Sequence, residues 1–210
     1  MARALKVYKE LFDFDAEVRT HFPVFCGVDE AGRGPLAGDV YAAAVILPPG
    51  LEIPGLNDSK KLSEARREEL APVIKAQAAA WCIASASVEE IERLNILQAA
   101  LLAMRRAVEG LDITPVFALA DGNQPPSLPV PVGTVIHGDA KSASIAAASV
   151  LAKTARDAAL RELDEQYPEY GFAAHKGYGT KAHYAAIEQY GVCPAHRPSF
   201  LKKFYERRGG

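Results

Sequence analysis

Apolar positions in this chain gather into short continuous runs, and helical periodicity fills the stretches between them. Val24-Phe25-Cys26-Gly27-Val28 is such a run, closed by Asp29 and Glu30, and it predicts a strand. Residues 39–47 predict a second, well-buried strand, stopped by Pro48-Pro49-Gly50. The two form a hairpin around Gly32, Gly34, Pro35 and Gly38. Residues 81–86, 116–120 and 132–136 predict three more strands, with the Pro-rich segment 125–131 as a loop. Ser63 predicts a helix cap with acids in the first turn, and Pro72 is expected to kink or end that helix. Ser87-Val88-Glu89-Glu90 fits a capping box. The periodicity after it breaks near Asn95 and continues through Leu97, Leu101, Met104 and Val108 to Gly110. A long helix runs from Ala143 to about Glu165. Its first half is nearly all small residues, which predicts flat packing on a sheet. Residues 1–22 carry no strong pattern and are expected to pack on the body, and residues 181–208 predict one or two helices.

Composition narrows the class. At 210 residues, 49% hydrophobic and 24% charged, the chain is one large globular domain or a domain with a helical appendage. No apolar run approaches the ~20 residues that span a bilayer, and Met1 to Asp15 is too charged for a signal-peptide core. Cys26, Cys82 and Cys193 are far apart and odd in number, so a reduced, cytoplasmic and unmetallated chain is expected. The net charge of −2 does not advertise a nucleic-acid binder. From Cys193 onward, however, Arg197, Lys202, Lys203, Arg207 and Arg208 face one acid, Glu206. That tail reads either as a solvated terminus or as a local basic surface.

The candidate chemistry lies at the strand ends, where Asp29-Glu30, Asp121 and Asp139 follow apolar runs. Neighbouring strand residues face opposite sides. Asp29 and Glu30 therefore converge only if the strand gives way to a turn, which the glycines supply. Gly32 and Gly34 flank a lone Arg33, and a glycine pair lets backbone approach a sugar or phosphate closely. Four carboxylates from three strand ends would make a hard, oxygen-only site for Mg²⁺ or Mn²⁺. Two such ions about 3.5–4 Å apart can bind the attacking and leaving oxygens of a phosphodiester. Pattern alone leaves this reading beside scattered, solvated turn acids.

Asp29-Glu-Ala-Gly-Arg-Gly-Pro-Leu-Ala-Gly38 resembles the signature of bacterial type 2 ribonuclease H, the ribonuclease HII family. The likeness continues in order through Leu56–Ser63, Glu92–Leu97, Asp121–Asn123, Gly138–Ser142, Ile145–Lys153, Gly171–Thr180 and His196–Phe200, covering about residues 24–200. It implies an α/β fold, with a ribonuclease H-like mixed sheet flanked by helices and a helical C-terminal appendage. The implied division is a leader at 1–22, a catalytic domain at 23–165 and a helical substrate-binding region at 166–210. Asp29, Glu30, Asp121 and Asp139 correspond to the family's metal-binding catalytic carboxylates, holding two Mg²⁺ or Mn²⁺ ions. Asp29 would bridge them, Asp139 would complete the site that activates the attacking water, and Glu30 and Asp121 would hold the metal on the leaving 3′-oxygen. The backbone of Gly32, Arg33 and Gly34 would contact a ribonucleotide 2′-hydroxyl. Tyr178 would stack on the next sugar, where deoxyribose fits. Lys60 and Lys61 match a phosphate-contacting block but also read as a solvated pair. Ser142 is either a phosphate contact or only the cap of the long helix. His196 and Arg197 read as fold or backbone contacts.

The implied activity is hydrolysis of RNA in RNA–DNA hybrids and cutting 5′ of ribonucleotides in duplex DNA, leaving 3′-hydroxyl and 5′-phosphate ends. The implied enzyme is a monomer acting on nucleic acid, away from membranes. A ribonuclease H-fold DNA transposase or resolvase, or a non-catalytic hybrid-binding protein, are the rival readings. The length argues against ribonuclease HIII, which carries an additional N-terminal domain. Asp39 departs from the family pattern. It is either an extra acid affecting the site or a strand-start residue.

Overall fold

The structure, a computed structural model, describes residues 2–206. Arg207 and Arg208 of the basic tail lie outside them. The chain opens with helix α1 (Ala2–His21) and runs into β1 (Phe25–Ala31) and β2 (Val40–Ile46). Helix α2 (Glu64–Gln77), strand β3 (Ala80–Ala86) and helices α3 (Val88–Leu94) and α4 (Ile96–Glu109) follow. Then come β4 (Phe117–Asp121), β5 (Val132–Val135) and the long helix α5 (Ala143–Gln166). Three helices complete the chain: α6 (Phe172–His175), α7 (Lys181–Tyr190) and α8 (Pro198–Glu206).

The five strands form one mixed sheet in the order β3-β2-β1-β4-β5. The hairpin partners β1, β2 and β3 are antiparallel, while β4 joins β1, and β5 joins β4, in parallel. In this sheet β1 is central, and its two faces are covered differently. Cys26 and Val28 look toward the amphipathic helix α4, packing with Ala99, Ala103, Met104 and Ala107. On the other face Ala43 and Val45 of β2 pack against Ala146, Ala147 and Val150 of α5, with Leu70 and Ile74 of α2 and Leu11 of α1. The small residues of α5 allow the flat packing the sequence predicts. A Cβ built on Gly27 would lie 2.2 Å from the Ser144 carbonyl carbon, so helix and strand meet backbone to backbone.

The caps follow the sequence closely. Ser63 accepts from Arg66 N–H, and Ser87 and Glu90 complete a reciprocal capping box. Asn95 takes φ 72° and caps α4 through Leu97 and Gln98, which is the expected break. Pro72 does not end α2, which continues to Gln77. Pro72 and Glu68, whose carbonyl loses its helical partner to the ring, are both exposed, so the break falls on the solvent side of the helix.

Residues 1–22 are more ordered than their pattern suggests. Most of them form α1, with Asp15 buried and accepting from the Ser142 hydroxyl at 2.6 Å and from Ser144 N–H and hydroxyl at 2.9 and 2.6 Å. Phe22 stacks on Phe117 with centroids 4.0 Å apart. A separate cluster of Leu36, Ala37, Leu160, Tyr170, Phe172, Ile187 and Leu201 fastens α6, α7 and α8 to the glycine-rich turn and to α5. Among the described residues no helix is long and apolar enough to cross a membrane.

Candidate active site

Strand β1 does not give way at Asp29. Asp29 and Glu30 remain paired opposite Ala43 and Ala42, so the two carboxylates leave on opposite faces of the sheet. The irregular turn begins only after Ala31. Asp29 points to the α5 side, and the parallel register that sets Val28 beside Ala120 brings it level with Asp121, one residue on. Asp139 arrives from a different kind of element. Its predicted strand ends at Val135, His137 adopts a left-handed conformation, and Asp139 sits in a short 3-10 turn, Gly138–Ala140. One carboxylate oxygen from each of Asp29, Asp121 and Asp139 lies within 4.8 Å of the other two. Glu30 stands beside this trio from the far face, bonded to Arg33 at 3.4 Å.

The electrostatics are those of crowded acids. Burial raises the Asp29 carboxyl well above its ordinary range, and the charges of Glu30, Asp121 and Asp139 raise it further. Burial also raises Glu30, against the pull of Arg33, and raises Asp139, against the pull of Lys60. The Lys60 ammonium donates to Asp139 at 3.1 Å. Burial pulls its pKa down, but the hydrogen bond and the charges of Asp139, Asp29 and Asp58 outweigh that and leave it raised. Three hard oxygen donors at this spacing, unfavourably charged on their own, fit a divalent cation such as Mg²⁺ or Mn²⁺.

Asp29 and Asp121 open into a groove of about 230 Å³ lined also by Glu30, Ser149, Lys153 and Arg156 together with Gly32–Gly34, Lys60 and Tyr178. The turn at Gly32 is clamped from behind. Arg197 is fully buried and spends all five of its donors on four backbone carbonyls: Nη2 on Gly32 and Gly38, Nη1 on Arg33 and Pro35, and Nε on Gly38, at 2.5–3.2 Å. Arg156 lies under the same turn, its Nε 2.3 Å from where a Gly32 Cβ would sit and its guanidinium carbon 5.9 Å from the Tyr178 ring centroid. Gly32 therefore has two reasons to be glycine, this contact and its φ of 104°. Tyr178 is half exposed on the groove rim, with its Cε1 3.6 Å from a Gly34 Cβ.

The remaining sequence candidates divide. Lys60 reaches the site, but Lys61 turns back to Asp58 at 3.6 Å and does not line the groove. Ser142 is fully buried. Its hydroxyl caps α5 by accepting from Ile145 N–H and donates to Asp15, the capping alternative. Asp39 accepts from Val88 N–H at 3.0 Å and belongs to the start of β2, away from the acidic trio. Sequence reasoning passed over Ser59 and Ser149, whose hydroxyls lie 2.6 Å apart, with Ser149 donating to Asp29. It also missed Lys153 and Arg156. Lys153 stands at i,i+4 from Asp157, the pattern of an ordinary helix-surface ion pair, and nothing in that spacing points to the groove.

The ribonuclease HII family model matches residues 26–204. A ribonuclease HII of Chromobacterium violaceum is 65% identical over 175 residues, covering 83% of this chain and 88% of that protein. One of Laribacter hongkongensis is 64% identical over 177 residues, covering 83% and 89%. The crystal structure of the ribonuclease H2 from Pyrococcus horikoshii superposes with a TM-score of 0.72 at 25% identity, covering 88% of this chain and 98% of that one. With the mixed sheet, the acidic trio and the glycine turn already in place, these likenesses show that the chain belongs to the ribonuclease HII family of ribonuclease H-type endonucleases.

Proposed function

We propose that this enzyme hydrolyses the RNA of RNA–DNA hybrids and cuts duplex DNA on the 5′ side of an embedded ribonucleotide. It would use two Mg²⁺ or Mn²⁺ ions and leave 3′-hydroxyl and 5′-phosphate ends. The observation that carries the reading is that Asp29 and Asp121 share one groove with the Gly32–Gly34 turn and Tyr178, while Asp139 reaches the same two carboxylates to within 4.8 Å. Divalent cations bound there supply Lewis-acid polarisation of the phosphodiester and an acidified water. Asp29, Asp121 and Asp139 would hold them, with Glu30 completing the set on one side and Lys60 orienting Asp139.

The protein's own share is to place and select the substrate. Arg197 holds the carbonyls of Gly32, Arg33, Pro35 and Gly38, and the backbone of Gly32–Gly34, fixed in this way, would contact a 2′-hydroxyl. Tyr178 presents its ring beside Gly34, where the sugar of the next nucleotide would lie. Together the two elements would read a ribose-to-deoxyribose step. Lys60 and Lys153 supply positive charge at the groove for the phosphate backbone. Lys61 and Ser142 would contribute through the turn and the helix start they hold. We place the enzyme in the cytoplasm as a monomer.

A duplex with one ribonucleotide, its all-DNA twin and a uniform RNA–DNA hybrid, each incubated with Mg²⁺ or with EDTA, test the proposal. Metal-dependent cutting of the first and third alone is expected. Cutting of the all-DNA twin would instead indicate a DNA recombinase of the same fold, and binding without cutting a hybrid-binding protein.

A further inference from the structure

Beside Tyr178 lies a cluster of three histidines, His183 and His196 buried and His175 partly so, that the chemistry above leaves without a role. His175 and His183 stack with centroids 4.3 Å apart, and His196 lies 5.2 Å from His183. Their partners fix their tautomers. His175 Nδ1 accepts from Gly177 N–H at 3.2 Å, so its proton is on Nε2, which donates to Tyr170 O at 2.7 Å. His196 Nδ1 accepts from Cys193 N–H at 3.0 Å, so its Nε2 carries the proton and donates to His183 Nε2 at 3.1 Å. His183 must then carry its proton on Nδ1, which donates to Tyr178 O at 2.9 Å. Burial lowers the pKa of His183 to about 4 and also lowers that of His196, so both rings are neutral near pH 7, as this chain of bonds requires.

The chain joins the two elements that would read the sugars. At one end is the carbonyl of Tyr178. At the other is His196, adjacent to Arg197 and paired with Ala37 in an isolated bridge. Arg197 holds the Gly32–Gly38 turn, and Gly177 O accepts from Leu36 N–H at 2.8 Å. We propose that His183, its ring locked by His196, is the positioning residue that holds the Tyr178 backbone at a fixed distance from the Gly32–Gly34 turn and thereby sets selectivity for a ribose followed by a deoxyribose. The inference rests on the reading of Tyr178 as the sugar-stacking residue.

Two full-chain variants separate positioning from bulk stability. In His183→Asn the amide nitrogen falls near Nδ1 and can still donate to Tyr178 O. In His183→Gln the amide reaches the Nε2 position and leaves Tyr178 O without that donor. The readout is kcat/KM for a single-ribonucleotide duplex divided by kcat/KM for a uniform RNA–DNA hybrid, measured with melting temperatures. The wild type should favour the single ribonucleotide. His183→Asn should keep that ratio within twofold, and His183→Gln should lose at least fivefold. A wild type with no preference overturns the Tyr178 reading and this inference with it. A wild-type preference that His183→Gln retains, or that both variants lose only in parallel with melting temperature, overturns the positioning role alone. Nitrogen-15 imidazole shifts of the unmodified enzyme give a check that needs no variant to fold. His183 should show the Nδ1–H tautomer and His196 the Nε2–H tautomer, and an Nε2–H His183 overturns the proposal.

Discussion

Replacing Gly27 by alanine tests whether the active site depends on the closeness of β1 and α5. The added Cβ would lie 2.2 Å from Ser144 C, 2.3 Å from Ile145 N and 2.6 Å from Ser144 O. All three are backbone atoms of the first turn of α5, so no side chain can rotate away. Carbon contacts become favourable only near ~3.5 Å, so the helix must withdraw by about 1 Å. Overpacking of this kind costs about 1–3 kcal/mol or more. At about 2–4 °C per kcal/mol for a chain of this size, the melting temperature should fall by roughly 2–12 °C. Function should suffer more than stability. The same helix carries Ser149, which donates to Asp29, and the groove residues Lys153 and Arg156. A displacement of about 1 Å at a reacting centre is worth on the order of 100-fold in rate. Gly50→Ala is the control. Its Cβ meets nothing within 4 Å, but its φ of 73° strains an alanine, so a loss of about 1 kcal/mol with unchanged cleavage is expected. Thermal unfolding by circular dichroism, beside initial cleavage rates on a single-ribonucleotide duplex, decides the matter. A Gly27→Ala enzyme that melts and cuts like the wild type would refute the backbone-contact argument.

Three further predictions rest on other parts of the structure. Arg197→Lys replaces a five-donor fork with one ammonium and leaves buried carbonyls unpaired. It should cost about 3 kcal/mol or more in denaturant unfolding and weaken the preference for a single ribonucleotide; equal stability would show that water replaces the clamp. Asp121→Asn keeps the oxygen that accepts from Gly138 N–H at 2.6 Å, so cleavage should fall by at least about 100-fold while the melting temperature and substrate binding hold. Near-normal turnover would remove Asp121 from the metal site. The pH prediction follows from His183, whose pKa falls from 6.5 to about 4 through burial, with His175 and His196 adding to the shift. A group depressed in the folded state binds fewer protons there, so its contribution is intact above pH 6.5 and is lost as pH falls toward 4. Wild type should therefore lose more stability than His183→Asn between pH 7 and pH 5 in melting experiments, and identical slopes would contradict the burial argument.

What could be read in the sequence, and what could not, divides by the range of the interactions involved. Strands, caps and the Asn95 break depend on neighbours a few residues apart, and apart from the C-terminal end of β1 they appear within a residue or two of where the pattern puts them. The flatness of α5 was visible because Ala146-Ala-Ala-Ser149 leaves no bulk to hold a sheet away. The placement of Asp29 and Glu30 was misread because a strand's end is set by its partner. Pairing to β2 carries β1 through Ala31, and the acids part to opposite faces. Helix α1 was missed because its acids and bases interrupt the apolar stripe. Its anchor, Asp15 on Ser142 and Ser144, spans more than a hundred residues. Arg197 reads from sequence as a fold or backbone contact, and it holds the fold, but carbonyl acceptors have no residue identity to match against. The number of carbonyls it holds emerged only from the fold.

The most direct test of the central claim is to map the cut. A duplex with one ribonucleotide, labelled at its 5′ end, is incubated with enzyme and Mg²⁺, and the product is sized at single-nucleotide resolution beside an Asp121→Asn reaction. The account predicts one product ending in a 3′-hydroxyl immediately 5′ of the ribonucleotide, absent from the Asp121→Asn and EDTA lanes. A cut on the 3′ side, a 2′,3′-cyclic phosphate end, or cleavage that persists without metal would contradict it.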